Sequence, residues 1–210
     1  MLNRRWLTLA LVFAPQVALA ARAAVLSPED RALVEAAAGY LQGLTQAKGR
    51  FVQTDARGTV TRGEVYLKRP GRARFAYDPP SGLLVVADGT YVSVVNPQLK
   101  TFDRYPLMAT PLSLFLARQI HLDKGVIITG VRRAADGFTL TAQDGARTAE
   151  GRISLIFSNA PLALIGWQVS DAQGQTTRIQ LNDFAPTSGL AADLFLLKDP
   201  RPVRPGRAGM

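Results

Sequence analysis

From Arg50 almost to the C-terminus, apolar residues recur at every second position in short runs, the period of β-strands with one buried face. The runs predict eleven strands: Arg50 to Thr54, Arg62 to Lys68, Arg72 to Tyr77, Leu83 to Ala87, Thr90 to Val95, Lys100 to Arg104, Val126 to Arg132, Phe138 to Ala142, Gly151 to Ser158, Leu162 to Ser170 and Gln175 to Phe184. Turn residues separate them at Pro70-Gly71, Asp88-Gly89 and Asn96-Pro97. Val65 and Leu67 share a face, as do Ala73, Phe75 and Tyr77. Further inward sets are Phe138, Leu140 and Ala142; Ile153, Leu155 and Phe157; Ile165, Trp167 and Val169; and Ile179 with Leu181. Polar residues such as Arg152, Ser154, Gln168, Arg178 and Gln180 take the alternate places.

Two stretches depart from this period. Ser27-Pro28-Glu29-Asp30 carries an N-cap, a first-turn proline and acids that complement a helix dipole. Leu33, Ala37, Tyr40, Leu41 and Leu44 follow at helical spacing, and the helix is expected to end between Gly43 and Gly49. A second helix is expected from Thr110-Pro111, with Leu112, Phe115 and Leu116 on one face. A long antiparallel sheet with a single apolar face must curl or be covered, and two or three short helices are the only cover available. The fold class is mainly β (α+β).

At 47% hydrophobic residues, the chain can bury a core without staples, and with no cysteine it has none. Arg4 and Arg5, the apolar run Trp6 to Phe13 and Ala18-Leu19-Ala20 read as a cleavable secretory signal over residues 1–20; Ala21-Arg22-Ala23 is a second cleavage point. The apolar run, broken by Pro15, is too short to span a bilayer. Residues 21–200 then form one domain, and the basic tail 201–210 is expected to be disordered. Lacking the cysteine to which bacterial lipid is attached, the mature protein should be soluble and periplasmic.

The net charge of +9 is largely peripheral: without Arg4 and Arg5 it is +7, and without Arg201, Arg204 and Arg207 also, 20 basic residues face 16 acids, leaving +4 for residues 21–200. Nucleic acid is not an expected partner, whereas anionic membranes or acidic partner surfaces are compatible.

Catalytic signatures are absent. The one histidine, His121, has no G-x-S-x-G turn to serve, and no H-E-x-x-H, cysteine pair, G-x-G-x-x-G or P-loop occurs. No metal or cofactor is expected. Among sixteen acids the sequence singles out no pair for glycosidase work.

The residues carrying most information are Phe51-Val52-Gln53, the strand Gly63 to Tyr66, Lys68-Arg69-Pro70, Arg74-Phe75-Ala76-Tyr77 followed by Pro79 or Pro80, and Val86-Ala87-Asp88-Gly89. After them come Thr110-Pro111 with Leu114 and Leu116, then Asp171, Gly174, Thr177, Ile179 and Leu181, and a closing Phe195. In order and spacing these resemble the LolA family of periplasmic outer-membrane lipoprotein carriers, from about Ser27 to Pro200. The resemblance implies an unclosed antiparallel half β-barrel of about eleven strands with a helical lid, a monomer, and cargo of acylated lipoproteins. Its partners would be an inner-membrane ABC-type release complex and an outer-membrane receptor.

The resemblance also assigns roles. Arg69, in the K-R-P motif, would latch the lid by hydrogen bonds to helix carbonyls; read alone, it is a solvated arginine at a strand end. Leu67, Phe75, Tyr77, Phe138, Leu140, Ile153, Leu155, Phe157, Trp167, Ile179 and Leu181 would line the acyl cavity, although the same residues equally suit a packed core. Leu33, Leu41, Leu112 and Phe115 would be the lid's inner face. Phe75 stands where the family often has tryptophan, and the basic tail has no family counterpart. A related half-barrel that senses lipids or lipoproteins and regulates a stress response is the alternative reading. A lipid esterase is a third, lacking a nucleophile and base constellation.

Overall fold

The computed structural model describes residues 23–110, 112–120, 122, 125–145 and 151–197. The expected signal segment, Pro111, His121 and the basic tail lie outside the described residues. Helix α1 (Pro28–Gly43) begins as its sequence dictates: the Ser27 hydroxyl accepts the Asp30 N–H at 3.1 Å and proline occupies the first turn. The strands follow as β1 (Gln46–Thr54), β2 (Val60–Lys68), β3 (Arg72–Tyr77), β4 (Leu84–Asp88), β5 (Tyr91–Asn96) and β6 (Thr101–Pro106). A 3₁₀ turn (Leu107–Ala109) and helix α2 (Leu112–Leu116) precede β7 (Val126–Arg133), β8 (Gly137–Asp144), β9 (Gly151–Asn159), β10 (Leu162–Asp171) and β11 (Thr176–Pro186).

All eleven strands form one antiparallel sheet in the order β6-β5-β4-β3-β2-β1-β11-β10-β9-β8-β7. Two meanders are thus joined through β1 and β11, and the edge strands are β6 and β7, which are consecutive in sequence; Ala24 N–H donates to Ile128 O of β7 at 2.9 Å. The chain between them must therefore travel from one edge of the sheet to the other, and α2 lies on that connection.

Asp88 and Asn96 make the expected turns with their own side chains: Asp88 Oδ1 accepts Thr90 and Tyr91 N–H at 2.8 Å, and Asn96 Oδ1 accepts Gln98 and Leu99 N–H at 3.1 and 3.0 Å. Strand β1 starts four residues before the expected Arg50, because Gln-Ala-Lys-Gly pairs with both neighbours although it lacks an apolar alternation. Gly63 is required by packing: a Cβ there would come within 2.8 Å of the buried Phe51 ring and 2.3 Å of Ala76 O.

Ile165 corrects the inward set of β10. Strict alternation puts it on the inner face, yet it is 42% exposed while Leu164 is buried. A β-bulge causes this: Leu164 pairs with Phe157 and Gly166 with the adjacent Ile156, leaving Ile165 as the extra residue. A second bulge sets Asp183 and Phe184 against Gly49, with Asp183 at φ +52°, and turns Phe184 inward. A third lies at Thr129 of β7.

The main core sets Ala37 and Leu41 of α1 against Phe51, Val65, Phe138, Leu140, Ala142, Ile153, Leu155, Phe157, Leu164, Ile179 and Leu181. A smaller cluster, Ala73, Ala87, Val92, Leu107 and Leu116, lies under α2, and Phe75 and Phe115 join the two. On the opposite face, residues 187–197 run back over the sheet. Thr187 N–H donates to Gln46 O (3.0 Å), Arg74 Nη1 to Leu194 O (3.0 Å), and Lys68 Nζ to Leu190 O. This segment buries Phe195 completely, and Val86 and Ser93 are buried out of phase with inward Ala87 and Val92.

Candidate functional site

Between the two meanders, under α2, the inner face leaves a cavity of about 40 Å³. Leu41, Leu44, Val65, Leu67, Phe75, Leu112, Phe115, Leu116, Leu164, Trp167 and Phe184 line it with Ala73, and among the described residues Arg69 is its one polar wall. Aromatic rings build much of the wall: Trp167 meets Phe75 edge-on at 6.1 Å and Phe115 at 5.7 Å, and Phe51 meets Phe75 at 5.7 Å.

Of the residues expected to line a cavity, Leu67, Phe75 and Trp167 are on it. Phe138, Leu140, Ile153, Leu155, Phe157, Ile179 and Leu181 instead fill the packed core beside it, and Tyr77 packs against that core. Tyr77 hydroxyl donates to Gln53 Oε1 at 2.7 Å, and burial pushes its ionisation up to about 12. Among the expected lid residues, Leu41, Leu112 and Phe115 face the cavity, while Leu33 packs on the main core. Leu164 and Phe184 were invisible to an alternation argument because bulges deliver both.

Arg69 sits in the three-residue turn between β2 and β3, where Gly71 takes φ +78° and a Cβ would strike Gly89 Cα at 2.7 Å. Its guanidinium reaches across to the lid. Nε and Nη2 donate to Ala117 O at 3.1 and 2.7 Å, Nη2 to Arg118 O at 3.3 Å, and Nη1 to Leu41 O. Backbone bonds support this junction, from Arg69 N–H to Thr45 O and from Gly71 N–H to Leu116 O, both 2.8 Å.

The acceptors explain why an arginine belongs there. Leu41 O is one of the last carbonyls of α1, a helix with no basic residue in its final turn, and Ala117 O and Arg118 O directly follow α2. Carbonyls at helix C-termini lack intrahelical donors and carry partial negative charge, so one cation satisfies both helix ends. The planar fork offers five N–H groups, which Lys cannot match. No carboxylate neutralises Arg69 among the described residues, and burial pulls its ionisation below the ordinary arginine value.

The far end of α1 is held differently. Arg133 of β7 donates through Nε and Nη2 to Asp30 Oδ1 at 3.0 and 2.7 Å and through Nη2 to Ser27 Oγ at 3.3 Å. That ion pair is exposed.

Neither a cluster of three potential metal ligands nor a helix long and apolar enough to cross a membrane occurs among the described residues. An unclosed half-barrel, an apolar hollow and helices lying over it define a container for apolar groups.

The sequence profile described as "Outer membrane lipoprotein carrier protein LolA" matches residues 42–198, and the chain belongs to this family. It is 31% identical over 173 residues to an outer-membrane lipoprotein carrier protein of Xanthomonas campestris pv. campestris (strain B100), covering 74% of this chain and 79% of that one. The protein of the same name from Legionella pneumophila (strain Corby) is 27% identical over 206 residues, 96% of this chain and 98% of its own. A crystal structure of an uncharacterized conserved protein from Thermus thermophilus shares the fold, with a TM-score of 0.50 at 14% identity over 81% of this chain and 96% of that one.

Proposed function

We propose that this chain is a periplasmic carrier that takes up the acyl chains of lipoproteins leaving an inner-membrane ABC-type release complex and hands them to a receptor at the outer membrane. It works as a monomer without cofactor, metal or catalysis. The observation that carries this reading is the apolar hollow under α2, with a guanidinium in its wall bonded to the ends of both helices.

An acyl chain of roughly fifteen methylenes gains on the order of 12 kcal/mol on leaving water, enough to make cargo nearly undeliverable if nothing opposed it. Seating such a chain between the helices and the sheet opens the lid and breaks bonds to Arg69. Hydrogen bonds to charged groups contribute about 1.5–3 kcal/mol each, less where solvent reaches them. Their loss offsets part of the acyl gain and returns the cargo when a receptor offers a better site.

Trp167 lies in the cavity wall, and removal of residues 1–20 with Trp6 would leave it as the sole tryptophan. Lipoprotein or fatty acid bearing a brominated acyl chain should therefore quench its fluorescence. Arg69→Leu should retain this uptake and lose handover to acceptor membranes carrying the receptor. Absence of quenching in the unsubstituted protein would remove the carrier reading; normal handover by the variant would remove the latch.

A further inference from the structure

Arg69 joins the lid to the sheet, but a second seam runs within the lid itself, between α1 and the segment 117–120 that follows α2. Gln42 bridges it with both ends of its side-chain amide: Nε2 donates to Arg118 O at 3.3 Å, and Oε1 accepts the Ile120 N–H at 2.8 Å. A primary amide here takes the place of a backbone unit, giving donor and acceptor to a segment that has no regular secondary structure of its own. Arg118 O accepts from Arg69 as well, so the two seams meet at one carbonyl.

We infer that Gln42 is a positioning residue that fastens α1 to segment 117–120, so that both pieces of the lid leave the sheet as one body when the Arg69 joint opens. The inference rests on the carrier reading for its purpose, though not for its geometry. Topology makes such a fastener necessary. α1 enters the sheet through β1, whereas α2 hangs on the connection between the edge strands β6 and β7, and more than seventy residues separate Gln42 from Arg118. If the pieces parted, α2 would swing on its own and the cavity would lose its roof while α1 stayed in place. Gln42 is exposed and lies outside the cavity lining, so its substitution leaves the apolar wall intact.

The seams carry separate reporters. The Ile120 amide belongs to the Gln42 seam, and the Gly71 amide, bonded to Leu116 O at 2.8 Å, belongs to the sheet-to-lid seam. Hydrogen exchange on the cargo-free protein reads both. Gln42→Ala should speed exchange at Ile120 by about fivefold, the effect of losing weak exposed hydrogen bonds, with Gly71 unchanged. Arg69→Leu should speed Gly71 and leave Ile120 protected. Gln42→Glu keeps an acceptor for Ile120 N–H and should restore its protection.

Unaltered Ile120 exchange in Gln42→Ala, or joint loosening of Ile120 and Gly71 in Arg69→Leu, would overturn the inference. Release of a brominated fatty acid, followed by recovery of Trp167 emission, should also be several-fold faster in Gln42→Ala at unchanged melting temperature. Release at the unsubstituted rate would count equally against it. Failure of the carrier reading has a different signature: no quenching by brominated acyl chains in any variant, with the exchange pattern still present.

Discussion

One concave sheet face carries two regions built from the same kinds of side chain, one solid and one hollow. Under α1, Phe138 stacks on Phe157 at 5.1 Å and 14°, Tyr40 meets Phe157 edge-on at 6.1 Å, and Phe157 is fully buried. Under α2, Trp167 meets Phe75 edge-on at 6.1 Å and Phe115 at a tilt of 50°, none of them stacked, and space remains beside them. The covers differ in length. A sixteen-residue helix lays several turns of Leu33, Ala37, Tyr40 and Leu41 on the strands, whereas a five-residue helix offers little more than one. Hydrophobic composition thus does not decide between packed core and hollow; the placing of the helices over it does, the hollow lying where the end of α1 meets the short α2.

Phe157→Ala tests the solid half and should have the largest effect. It leaves a void among rings that cannot collapse, costing about 3–5 kcal/mol and visible as a lower urea midpoint. A loss below about 1 kcal/mol would mean that this half is also loosely filled. Phe115→Ala makes the converse test, since the half-buried ring adjoins space already empty. Its unfolding cost should be about 1–2 kcal/mol, while quenching of Trp167 by brominated acyl chains should begin at lower ligand concentration. Equal stability losses in the two variants would erase the distinction.

The same contrast governs what could be read from the sequence. Period-two alternation marks the strands because each has one wet face, and Ser27-Pro28 marks the start of α1 because its cap chemistry is local. The hollow is not marked: Leu67 and Leu140 have equivalent patterns, and only the third dimension puts one on a cavity and the other in a core. Bulges hide Leu164 and Phe184, since an inserted residue reverses the phase without a distinctive side chain. Burial of Val86 and Phe195 on the outer face depends on a segment more than ninety residues away from β4 in sequence. Arg69 stands out only through the K-R-P resemblance, and Gln42, a glutamine on an exposed helix face, carries no signal at all.

The two ends of α1 give the finest version of the comparison, because the same helix is held by carbonyls at one end and by carboxylates at the other. Arg133 donates to Asp30 and, with the Ser27 contacts, holds its carboxyl below the usual 3.8, and Glu29 is lowered as well, chiefly by a backbone hydrogen bond. A carboxyl lowered in the folded state stabilises that state fully above its unfolded value and ceases to do so as pH falls through the folded value. The N-terminal turn of α1 should therefore be insensitive to pH between about 5 and 8 and loosen only below about 4. Exchange of the Arg31 amide, which donates to Ser27 O at 3.0 Å, reports that turn. Asp30→Asn should remove most of the acid dependence, and 1 M salt should mimic part of the loss by screening an exposed pair. The Arg69 end should show neither response. Its acceptors are neutral carbonyls that do not titrate in this range, so a Gly71 amide that loosened with acid in step with Arg31 would mean that both ends are released together.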